Sequence, residues 1–100
     1  MAKWKHLRLV VGMEFIEIFP ANRVDLNWLY GRFPKTKKDN RNSDNSRLII
    51  DVKDNILFVE EAILCFLEEN GWEAYAFYPT YIDYHHHHEL NITAFKRKEE

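Results

Sequence analysis

Ile56, Val59, Ile63, Phe66 and Leu67 recur at three- and four-residue spacing, and Gly71 follows where a left-handed cap would stop a helix. The spacing predicts one amphipathic helix over residues 56–70, entered from Asp54-Asn55, a pair able to serve as a turn or a cap. Around it the period changes to two. Leu7, Leu9 and Val11 alternate with His6 and Arg8, and the alternation resumes after Gly12 in Glu14–Phe19 until Pro20 removes the next ladder donor. Leu48–Val52, Trp72–Tyr78 and Leu90–Phe95 read as further strands, the second with apolar groups on both faces. One helix among such strands predicts an α+β domain: an antiparallel sheet of four or five strands with the helix packed across one face. Residues 22–31 fit either a short helix capped by Asn22 or an aromatic strand around Trp28, Leu29 and Tyr30.

One hundred residues, 46% apolar and 30% charged, suit a single domain that is neither collagenous nor disordered. Three glycines leave no room for a glycine-rich phosphate cradle, and one cysteine cannot make a disulfide framework or a cysteine-based zinc site, so no cofactor is expected. The formal charge of −2 provides no overall field toward nucleic acid or an anionic membrane. Apolar runs break before the roughly 18 residues a spanning helix needs, and Met1-Ala2-Lys3-Trp4 opens without an apolar signal region. The expected location is the cytoplasm, with no membrane partner, and the lone Cys65 agrees with a reducing compartment.

From Arg32 to Arg47 the composition shifts to Lys, Arg, Asn, Asp and Ser. Six basic residues (Arg32, Lys35, Lys37, Lys38, Arg41, Arg47) against Asp39 and Asp44 leave this stretch at +4. With little apolar beyond Phe33, it is expected to be a mobile basic insertion at about 32–47. It could grip phosphates while Trp28, Tyr30 and Phe33 stack on bases, which makes nucleic acid the second functional reading.

Leu67-Glu68-Glu69-Asn70-Gly71-Trp72-Glu73, followed about twenty residues later by Ala94-Phe95-Lys96-Arg97, resembles small bacterial proteins of domain of unknown function family 4177. The likeness covers roughly residues 56–98, with a vaguer match of Trp4–Val11, while Met13–Arg47 departs from the family pattern. It implies a small antiparallel sheet with one packed helix, and no established activity.

Tyr84-His85-His86-His87-His88-Glu89 puts alternate imidazoles on one side of a strand, within chelating reach. Contiguous histidines lack the support that separated ligands give one another, so an exposed connection that takes up nickel adventitiously is the expected reading. Glu60, Glu61, Glu68 and Glu69 lie on helix flanks with no histidine or serine tied to them by a motif. Acidic neighbours around Cys65 make it a poor nucleophile candidate, so no enzyme is expected.

The helix carries more apolar surface than one face can bury, since Phe58 and Cys65 fall almost opposite Ile63 and Leu67. Tyr75 and Phe77 repeat the excess opposite Trp72 and Ala74. The inserted segment around Trp28 could cover it; self-association or a protein partner is the reading preferred. The expected function is a small non-enzymatic interaction or regulatory protein, a homodimer, with Phe58, Tyr75 and Phe77 in its contact surface and Arg32, Lys35, Lys37, Lys38 and Arg41 offered to another macromolecule; inhibition of a larger protein fits this description.

Overall fold

Leu7, Leu9 and Val11 are buried and His6 and Arg8 more exposed in strand β1 (Trp4–Val11), so the two-residue alternation of the sequence is the alternation of a half-buried strand. The computed structural model describes residues 3–83 and 88–99, with side chains described for 3–79 and 90–99. Gly12 lets the chain reverse: its N–H donates to the Phe15 carbonyl at 2.9 Å, and a Cβ there would run into the Phe15 ring. Strand β2 (Phe15–Phe19) then pairs antiparallel with β1, and Ile16 and Ile18 join the same core.

The sheet has six strands, one more than the upper expectation, in the order β3-β4-β2-β1-β6-β5, where β3 is Lys37–Lys38, β4 Leu48–Asp51, β5 Glu73–Asp83 and β6 His88–Lys98. Every pairing is antiparallel. The addition is β3, a two-residue strand on the outer edge of β4 that no periodicity could reveal. Residues 22–31 resolve the alternative left by their sequence. Ala21–Arg23 is a 3-10 turn, and Asn27–Arg32 is a short helix, α1. Its cap position is Leu26 rather than Asn22, while the Asp25 carboxylate accepts the Asn27 N–H.

Helix α2 (Ile56–Glu69) crosses one face of the sheet, burying Val59, Ala62, Ile63 and Leu67. Val59, Ile63 and Leu67 meet Leu7, Leu9, Ile16, Ile18, Ile50 and Phe95 in one cluster, closed at its margin by Leu26 and Leu29. The helix ends as its sequence requires. Gly71 has φ +86°, its N–H donates to the Glu68 carbonyl at 3.1 Å, and the Trp72 N–H donates to the Leu67 carbonyl at 3.0 Å. This is the Schellman arrangement, with Leu67 and Trp72 supplying its hydrophobic contact inside the core. The C-cap residue Asn70 adds a bond from its side-chain amide to the Phe66 carbonyl at 2.8 Å. Among the described residues no helix is long and apolar enough to cross a membrane.

A bulge in β5 decides which side chains face which way. Ala74 pairs with Phe95 and Ala76 with Ala94, so Tyr75 is the extra residue between them. Beyond it, Ala76 and Tyr78 turn from the helix, whereas Phe77 takes the helix side at the sheet margin, opposite Thr93 and in line with buried Leu9. The apolar side of β6 also faces away from the helix: Ile92 and Ala94 pair with Val10 and Arg8, which alternate with the core residues of β1.

Candidate functional site

The face of the sheet opposite α2 is exposed in part, with Leu90 and Ala94 buried on it. Register across five strands aligns Ile49, Glu17, Val10, Ile92 and Tyr78 in one row, and Phe19, Arg8, Ala94 and Ala76 across four strands in the next. Val10 and Ile92 are half-buried, and Phe19 and Tyr78 are exposed. At the end of this face Lys96 holds its Nζ over two aromatic rings, 4.7 Å from the Trp4 centroid and 5.8 Å from that of Tyr75. The Tyr75 hydroxyl and His6 Nδ1 share a hydrogen bond at 3.3 Å, with their rings edge to face. Aromatic, aliphatic and oppositely charged groups thus share one surface.

The stretch 32–47 carries hydrogen bonds of its own. Asp39 accepts from the backbone N–H groups of Arg41 and Asn42 and from the Asn42 amide; Asp44 accepts from Ser46 N–H and hydroxyl and from Arg47 N–H. The Asn42 side chain leads in holding the Asp39 carboxyl below the ordinary range, and the Ser46 hydroxyl does the same for Asp44. Ser43 ties the turn to the sheet, its hydroxyl donating to the Ile49 carbonyl and accepting the Ile49 N–H. Thr36 is buried at the entrance. Burial of apolar groups is one source of order for such a segment; short polar side chains supply another by bonding the nearby backbone.

Two of its basic residues, Lys35 and Lys37, line one cleft with Lys53, Asp51 and Asp54, and most meet a partner. Arg32 lies over the Phe33 ring, Lys35 pairs with Asp54 at 3.0 Å, Lys37 is registered beside Asp51, and Arg47 approaches Glu17 at 3.8 Å. Lys38 lies beside Ile50 in the edge strand, and Arg41 is exposed in the Asp39 turn. The aromatics expected to stack on bases are engaged elsewhere: Trp28 packs on Phe66 with centroids 5.1 Å apart, and Tyr30 and Phe33 lie against the core. Burial raises the Tyr30 hydroxyl pKa accordingly.

The three apolar residues singled out from sequence lie on three surfaces. Tyr75 belongs to the open sheet face, and Phe77, 65% exposed, to the opposite side at the sheet margin. Phe58, 64% exposed, borders a shallow cleft of about 360 Å³ with Arg32, Phe33, Glu61, Ala62 and Cys65. Only Tyr75 joins the larger surface, whose other members sequence reasoning passed over. Val10 among the outward residues of β1 was the available signal. Glu60 on the flank of α2 has its pKa raised by partial burial, while Glu61, Glu68 and Glu69 are exposed. Among the described residues no three histidine, cysteine or carboxylate side chains are grouped to hold a metal, and Tyr84–His87, with most of the histidine run, lies outside them. No family model and no curated protein matches this chain at a significant level.

Proposed function

We propose that this chain is a small non-enzymatic interaction protein that self-associates and presents its basic edge to a further macromolecule, in the manner of a regulator or inhibitor. The observation that carries the reading is apolar surface left outside a closed core: Trp4, Phe19, Leu57, Phe58 and Phe77 all stand at least two-fifths exposed while the core cluster is complete without them. Kinship with domain of unknown function family 4177 belongs to the same proposal and rests on Gly71-Trp72-Glu73 and Ala94-Phe95-Lys96-Arg97 alone. The test is the native mass by light scattering at tens of micromolar protein, with and without single-stranded nucleic acid. A two-chain mass that nucleic acid leaves unchanged is expected; a one-chain mass, or a stable nucleic-acid complex, refutes the reading.

A further inference from the structure

We infer that the open face of the sheet, centred on Val10, Ile92 and Tyr78, is the surface on which a second copy of this chain packs. The inference rests on the self-association proposed above and assigns it a place. Registered rows make the patch continuous: Val10, Ile92 and Tyr78 lie side by side on three adjacent strands, with Ala94 and Ala76 in the neighbouring row leaving a shallow floor. A flat sheet surface of this kind packs on another sheet at about 10 Å, its side chains interleaving.

Two observations choose the occupant. The patch has both signs of charge close to its centre, with Arg8 one row and one strand away from Glu17. A contact between identical patches requires self-complementarity, and a two-fold lets Arg8 of each copy meet Glu17 of the other. A nucleic-acid backbone or an anionic lipid surface would instead meet Glu17 and Asp51 beside those cations. The second observation concerns edges. One edge of the sheet is two lysines, Lys37 and Lys38; the other, β5, is interrupted by the Tyr75 bulge and by Pro79. Both are poor templates for strand addition, so copies are steered to the face rather than into a continuous sheet.

The experiment uses the full chain with Ile92→Glu, Tyr78→Glu, Phe58→Glu, and the charge exchanges Arg8→Glu and Glu17→Arg singly and together. Mass by light scattering is read beside the helical circular-dichroism signal. The parent is expected at two chains, and Ile92→Glu and Tyr78→Glu at one chain with the helical signal retained, since both side chains point away from the core. Arg8→Glu should weaken the dimer about tenfold, and adding Glu17→Arg should restore it. If Ile92→Glu unfolds, Tyr78→Glu and the charge exchanges decide. A parent dimer that survives them, or that Phe58→Glu alone dissociates, overturns the assignment of the face but leaves self-association standing. A parent of one-chain mass overturns both.

Discussion

Replacing Gly71 by alanine isolates the torsional cost of ending α2. Among the described residues a Cβ at this position would meet only Arg97 Nε, at 3.7 Å, an ordinary contact without a steric clash. What remains is φ at +86°, a region that costs an L-residue about 1–2 kcal/mol, offset in part by the smaller entropy of the unfolded alanine chain. The net loss should be about 1 kcal/mol. At a urea slope of about 1 kcal/mol per molar for a small domain, the midpoint should fall by about 1 M. Gly71→Asn should lose about half as much, because asparagine tolerates the left-handed region. Gly31 supplies the control: it lies in α1, a methyl added there would have none of the described residues within 4 Å, and its φ is outside the positive range. Gly31→Ala should therefore gain about 0.5 kcal/mol through helix propensity. Urea melts at one protein concentration compare the variants with the parent without a shift from mass action. A Gly71→Ala midpoint at or above the parent, or a Gly31→Ala loss equal to it, would refute the reasoning.

Trp72→Ala should cost about 3–5 kcal/mol, since the indole is 3% exposed within the core. Trp72→Phe should cost less than half of that, because among the described residues the buried indole Nε1 has no hydrogen-bond partner to lose; equal urea midpoints for the two variants would argue against this. Deleting Lys37–Ser43 should lower stability by more than about 1 kcal/mol, as it removes β3 and the paired Ser43–Ile49 bonds. A melt matching the parent would instead return the stretch to the status of a dispensable loop. Asp39 and Asp44 have folded pKa values below their ordinary 3.8, so their turns draw stability that is present above that pH and lost as pH falls through the lower folded values. Amide resonances of Asn42 and Ser46 should therefore stay constant above about pH 4 and shift below it; a shift centred above that pH would contradict the bonding described.

What the sequence determined by itself is what local period and local chemistry can encode. The helical spacing from Ile56 to Leu67, its stop at Gly71 and the buried side of β1 depend on neighbours within a few residues, and the α+β class follows from their sum. Tertiary structure decided what depends on a partner strand. Alternation in Trp72–Tyr78 and Leu90–Phe95 states that two faces differ, not which of them the helix covers; the Tyr75 bulge and the pairing with β1 turn Ala76, Tyr78 and Ile92 outward. Strand β3 exists only through β4, since two lysines have no period of their own. The turns of residues 39–47 have aspartate and serine side chains bonded to the backbone, which composition alone presents as solvated polarity. Hence the helix was legible from the chain, while the sheet face opposite it was not: a surface formed from several strands brings together residues as far apart as Val10 and Ile92, and only pairing makes them neighbours.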